Sequence, residues 1–164
     1  CISARVEPAD SHFIPAGTIH AIGKGLLIAE IQQTSDVTYR VDDWGRVDDN
    51  GNPRELHTEL AVDVIDFGRP RNLENTATPV TNMPVLIEEC DYFTTNILKV
   101  EDSLERDYSD IDSFVIYICL GGELNVCWSA GSETLSKGET MLIPRQEDNI
   151  EVDGDGLLLE VYIR

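Results

Sequence analysis

Positive charge is scarce in this chain: 12 lysines and arginines stand against 31 aspartates and glutamates, a formal net charge of −19. Phosphate backbones are held by basic surfaces, so this balance argues against nucleic acid as a partner. An anionic substrate would have to be met by a local cationic pocket set against the field of the whole protein. Long apolar runs are missing too. None approaches the roughly 20 residues that span a bilayer, and no basic-then-apolar leader marks a secretory signal. The expectation is a soluble cytoplasmic protein without a membrane partner. The four cysteines (Cys1, Cys90, Cys119, Cys127) show no metal-ligand spacing. Cys119 and Cys127 lie in apolar β-like runs, where reduced core thiols are the expected reading. What the chain does have is 41% apolar residues over 164 positions, enough for one or two compact units with real cores.

The most informative feature is a frame that occurs twice. Pro8 to His20 and Lys137 to Asn149 each open on a small residue (Ala9, Gly138) and reach a strand-ending proline (Pro15, Pro144) at the same spacing. Five positions beyond the proline stands His20 in the first copy and Asn149 in the second. Each copy then enters a glycine turn and an apolar strand ending in a carboxylate, Gly25 to Glu30 and Gly156 to Glu160. Internal repetition is a fold-level signal. It predicts two related β-barrels, one that kept a ligand-type residue and one that is structural.

The rest of the chain reads mainly as strands. Ile2, Ala4 and Val6 alternate with polar residues, so the chain begins inside an element, and without an initiator methionine it is expected to be a fragment. Leu26 to Gln32 and Val37 to Val41 predict two more strands. Asp49-Asn50-Gly51-Asn52 predicts a tight hairpin turn. Leu56, Leu60, Val64 and Phe67 fall near helical spacing and predict one helix over residues 55–67. Residues 68–84, with Pro70, Pro79 and Pro84, predict an extended connection. From Val85 to Arg164, short strands separated by glycine turns predict a barrel or jelly roll.

Candidate chemistry clusters between His20 and Arg46. His20 follows a strand-ending turn, where a barrel aims side chains into its mouth. A neutral imidazole there suits zinc or another divalent ion, although a lone histidine after a strand is more often no ligand. Glu30 is a candidate general acid or base if partly desolvated, or a structural carboxylate like its counterpart Glu160. Asp36 and Arg40 lie in a dense polar run, where the guanidinium would stabilise a phosphate or an enediolate oxyanion; the alternative is an ion pair across a turn. His12, on a strand, and His57, at the helix start, are read as structural.

These residues carry a resemblance. Phe13 to Ile22 and Glu30 to Arg40 resemble the C-terminal half of type I mannose-6-phosphate isomerases, zinc-dependent cupin enzymes, in their bacterial short form. The similarity continues through Asp43 to Arg46, Gly51 to His57, Cys90 to Phe93 and Gly138 to Pro144. It implies a mainly β cupin, or double-stranded β-helix (jelly-roll), fold. Residues 1–41 would be the C-terminal strands of the metal-binding cupin, 42–84 a hairpin, helix and connection, and 85–164 a metal-free C-terminal cupin. It implies an aldose–ketose isomerase acting on a phosphosugar, interconverting mannose 6-phosphate and fructose 6-phosphate. His20 matches the last zinc ligand, Arg40 the arginine that steadies the enediol, Asp36 an aspartate of ring opening, and Glu30 a glutamate of proton transfer. The family's other zinc ligands, a Gln-x-His pair and a glutamate, belong to an upstream cupin half, and no such cluster occurs here. The resemblance thus implies a truncated portion of the enzyme, with zinc absent or incompletely ligated and no activity by itself. The alternative is a non-catalytic sugar-phosphate-binding or structural cupin domain.

Overall fold

A computed structural model describes residues 3–35, 37–68 and 74–163. The chain divides into two compact units, Cys1–Phe13 with Glu74–Arg164, and Ile14–Leu73.

The first unit is a β-barrel. Its strands are β1 (Asp10–His12), β2 (Glu74–Thr76), β3 (Pro84–Glu89), β4 (Thr94–Val100), β5 (Ser103–Asp107), β6 (Val115–Trp128), β7 (Gly131–Ser136), β8 (Thr140–Ile143) and β9 (Asn149–Tyr162). β1 and β2 form a separate antiparallel pair. The main sheet runs β3-β4-β9-β6-β7, all antiparallel, with β5 also on β9 and β8 also on β6. The two fourteen-residue strands make this closure possible. β9 pairs with β5 through its first half and with β4 through its second, while β6 pairs with β8 and then β7. Each long strand therefore belongs to two facing layers and has to bend between them. Glycine sits at the bends. Gly122 has φ +81°, and a Cβ there would lie 2.1 Å from the Asp155 carbonyl oxygen; Gly154 has φ +117°.

A register shift between Cys119 and Gly121 accompanies the bend in β6. One extra residue flips the parity of a strand. Val115, Tyr117 and Cys119 accordingly face the core before the shift, and Leu124 and Val126 after it. The sequence follows the flip, with apolar residues moving from odd to even positions. The core these positions build, including Leu98, Val126, Val152 and Leu158, is fully buried. Each such side chain contributes about 1.5–3 kcal/mol of transfer free energy.

The repeated frame is visible in the backbone. Ala9 and Gly138 both hold positive φ, 77° and 90°, just before the short strands β1 and β8. Pro15 and Pro144 follow those strands, and Asn149 opens β9. The second copy is therefore a complete barrel element.

The second unit departs from the strands expected of it. Leu26 to Gln32 and Val37 to Val41 form no ladder with the described residues, and Leu27 is 95% exposed. Ser3 to Glu7 likewise form no strand. An alternating pattern becomes a strand only when its N–H and C=O groups meet a neighbouring strand. Among the described residues these segments have none. The predicted helix is present but shorter: α1 covers Thr58–Val64 rather than 55–67. Its start is set by the Arg40 segment, since the His57 amide donates to the Arg40 carbonyl and Arg40 Nη1 donates to the Glu55 carbonyl. Its end is set by the extended conformation of Ile65. The hairpin turn is as expected. Asp48 Oδ1 accepts the amides of Asn50 and Asn52 at 2.9 and 2.8 Å, and Gly51 takes φ +82°. Among the described residues no helix is long and apolar enough to cross a membrane.

Candidate functional site

Within the second unit, His20 lies exposed beyond the Pro15–Thr18 turn, its Nδ1 3.0 Å from the Thr18 carbonyl oxygen. An Nδ1–H donated to a carbonyl leaves Nε2 with a free lone pair, the tautomer in which histidine ligates metals. Arg40 is half-buried and held at both ends. Its amide donates to His57 Nδ1 at 3.1 Å, and its Nη1 donates to the Glu55 carbonyl at 3.3 Å. His57 thereby acts as the clasp between the Arg40 segment and the start of α1, the structural role expected for it. Glu30 is exposed and makes no hydrogen bond or ion pair with the described residues. Asp36 lies outside the described residues. No hydrogen bond links His20, Glu30 and Arg40 within the described part of the unit. Among the described residues no group of three or more His, Cys, Asp or Glu gathers where a metal ion would sit. His20 therefore fits a metal as one ligand, but the residues present do not make a complete zinc site, which takes three protein ligands.

Two polar constellations were missed in the sequence. In the second unit, the Arg54 guanidinium makes a two-pronged pair with Asp43, Nε donating to Oδ2 at 2.7 Å and Nη2 to Oδ1. The Arg54 hydrogen bond, aided by its charge, holds the Asp43 carboxyl below the usual carboxylate range.

The larger constellation is inside the barrel. Glu160, completely buried, accepts Arg106 Nε on Oε1 at 2.8 Å and Arg106 Nη2 on Oε2 at 3.2 Å. Asn96 Nδ2 donates to Oε2 at 2.7 Å and the Tyr108 hydroxyl to Oε1 at 2.5 Å. With its only proton committed to Glu160, Tyr108 must accept from Tyr117, 2.5 Å away. Burial opposes the Arg106 charge, but the hydrogen bonds and charge of Glu160 more than offset it and hold the guanidinium firmly protonated. Burial, reinforced by neighbouring Tyr117 and Glu160, pushes the Tyr108 hydroxyl well above its ordinary value. Burial likewise raises Tyr117. One signal did exist: Glu160 has the same parity as core residues Leu158 and Tyr162, and a carboxylate at an inward position demands a buried partner.

The barrel and the turn that carries His20 can be set beside known proteins. Residues 83–163 match the family described as mannose-6-phosphate isomerase, cupin domain. The mannose-6-phosphate isomerase of Streptococcus mutans is 33% identical over 156 residues, 92% of this chain and 47% of that protein. The barrel of this chain belongs to that cupin-domain family. The Bacillus subtilis mannose-6-phosphate isomerase ManA is 30% identical over 152 residues, 92% of this chain and 48% of that protein. The crystal structure of a mannose 6-phosphate isomerase from Bacillus subtilis superposes with a TM-score of 0.68 at 25% identity, covering 79% of this chain and 41% of that one. The likeness thus extends beyond the barrel to the segment containing His20 and Arg40. The chain spans about half the length of the curated relatives it matches.

Proposed function

We propose that these residues serve in a cytoplasmic mannose-6-phosphate isomerase, which interconverts mannose 6-phosphate and fructose 6-phosphate. The observation that carries this reading is the match to proteins of that name across 92% of the chain, through both the His20–Arg40 segment and the barrel. In such a reaction a proton leaves C2 of the aldose and is returned to C1, and negative charge builds on the enediolate oxygens between the two events.

Arg40 is the residue suited to that charge. A guanidinium fixed near those oxygens stabilises the enediolate more than the neutral sugar, which is where rate is gained. Its anchoring to His57 and Glu55 supports the role, since a pre-positioned cation needs no reorganisation during the reaction. Glu30 is proposed as a proton-transfer group and Asp36 as the residue assisting ring opening. His20 would supply one ligand of a zinc ion, which polarises substrate oxygens when bound; its partners would have to come from outside the described residues.

The test is a chimera in which residues 1–164 replace the matching half of Bacillus subtilis ManA. It should bind about one zinc and convert mannose 6-phosphate to fructose 6-phosphate. His20→Ala should lose metal and turnover together. Arg40→Lys keeps the charge but not the planar fork, and should lower turnover by roughly two orders of magnitude at unchanged zinc content. A folded, zinc-loaded chimera that binds mannose 6-phosphate without converting it would replace this reading with the non-catalytic sugar-phosphate-binding one.

A further inference from the structure

The inside of the barrel changes character from one rung to the next. Leu98, Leu158 and Cys119 form one apolar row across β4, β9 and β6. The next row is Asn96, Glu160 and Tyr117, all polar and all buried. Arg106 and Tyr108 close on Glu160 from β5 and the residue that follows it. A barrel needing only stability would fill this rung with apolar side chains, because a buried ion pair returns little beyond its own desolvation cost.

Immediately over the polar rung lies a cavity of about 300 Å³. Thr94, Asn96, Arg106 and Tyr162 line it from the barrel, with Leu86 and Glu89 on the β3 side. Barrel mouths are common ligand sites, and this volume is at the small end of the range of roughly 300–1,000 Å³. Two of the lining groups, Arg106 and Asn96, are held in place by the same carboxylate. That is how a binding surface is kept rigid before its ligand arrives.

We infer that the mouth of this barrel is a binding site for a small neutral polyhydroxylated molecule, of monosaccharide or sugar-alcohol size. The described wall offers a guanidinium, a primary amide and a hydroxyl, so it carries both donors and acceptors. Hydroxyl groups, each a donor and an acceptor, match such a wall. The Tyr162 ring and Leu86 supply the apolar surface that the C–H face of a polyol requires. A phosphate fits poorly. Among the described lining residues the cation is Arg106, already paired with Glu160, and the chain as a whole carries −19. None of the described lining residues belongs to the His20–Arg40 segment, and the inference does not rest on the isomerase reading.

The experiment is an NMR titration of the 164-residue chain with D-mannose, with D-mannitol and with inorganic phosphate. The side-chain N–H signals of Asn96 and Arg106 should shift saturably with at least one of the two polyols, at a dissociation constant on the order of 1 mM or tighter, and not with phosphate. Leu86 is 51% exposed, so Leu86→Trp fills the mouth without entering the core. It should weaken binding by about tenfold or more at an unchanged melting temperature. The paired replacement Glu160→Leu with Arg106→Met removes the polar floor while leaving no charge unpaired, and should abolish binding in a folded barrel. Absence of a saturable shift with either polyol, tighter binding of phosphate, or undiminished binding in Leu86→Trp or the paired replacement would each overturn the inference.

Discussion

Glu160 and Arg106 are individually costly and jointly tolerable, and this asymmetry can be measured. Removing Arg106 leaves the Glu160 charge buried with only the Asn96 and Tyr108 hydrogen bonds to hold it. Arg106→Met should therefore destabilise the barrel by about 3–5 kcal/mol in denaturant melts, whereas combining it with Glu160→Leu should recover part of that loss, the remainder reflecting the Asn96 and Tyr108 donors left without their acceptor. Asp43 belongs to a pair of another kind, the carboxylate buried but its Arg54 partner half-exposed, with the carboxyl held low by Arg54. A carboxyl whose folded-state pKa lies below its unfolded value of about 3.9 contributes stability above that pH and loses it as pH falls through the folded value. Between neutral pH and acid below pH about 4, the wild type should therefore lose more stability than Asp43→Asn, which has no such proton to take up. Melting curves of the two across that range check the sign. Arg40 belongs to this scale as well: the role proposed for it depends on a planar fork that lysine does not reproduce.

At the scale of elements, the barrel depends on two long strands that bend and on the residues that permit bending. Gly122 combines a left-handed backbone with an approach to the Asp155 carbonyl that leaves no room for a methyl group. Gly138 has φ +90° but open space around it. Gly138→Ala should thus cost only the backbone penalty of about 1–2 kcal/mol. Gly122→Ala should cost clearly more, because the β6–β9 pairing must move to accept it; thermal unfolding of the two variants side by side tests the ranking. Helix α1 stands at the opposite extreme. Seven residues are too few to be stable alone, and α1 is held by the Arg40–His57 clasp and by the Asp66 amide bonded to the Gly17 carbonyl.

For the molecule as a whole, the two units differ in how they satisfy their apolar residues. The barrel buries the inward-facing apolar residues of β4, β6 and β9 in one core, although Leu86 and Leu142 stay exposed. In the second unit Leu27, Trp44 and Phe67 are 95%, 70% and 75% exposed, although α1 and its flanks carry the apolar spacing of a buried face. Amide hydrogen exchange should reflect this division. The paired amides of β6 and β9 should exchange only through global unfolding, while those of Leu26 to Gln32, which lie in no ladder, should exchange within the dead time of a manual experiment. Protection of Leu26 to Gln32 equal to that of β9 would contradict the described arrangement.

The barrel was legible in the sequence because its information is local and repeated: glycine turns at regular intervals, apolar parity along β4, β6 and β9, and a frame that recurs down to the positive φ of Ala9 and Gly138. The turn at Asp48 to Asn52 was legible for the same reason, since its side chains bond their own backbone. The family resemblance was legible in the block from His20 to Arg40. Strand formation at Leu26 to Gln32 was not, because alternation specifies a face but not the neighbour that must lie beside it. The cluster around Glu160 was hidden for a related reason. Asn96, Arg106, Tyr108, Tyr117 and Glu160 are up to 64 residues apart, and each looks unexceptional in its own segment. Only the register of β4 and β6 on β9, together with the bend that brings β5 across, turns five scattered polar residues into one buried site.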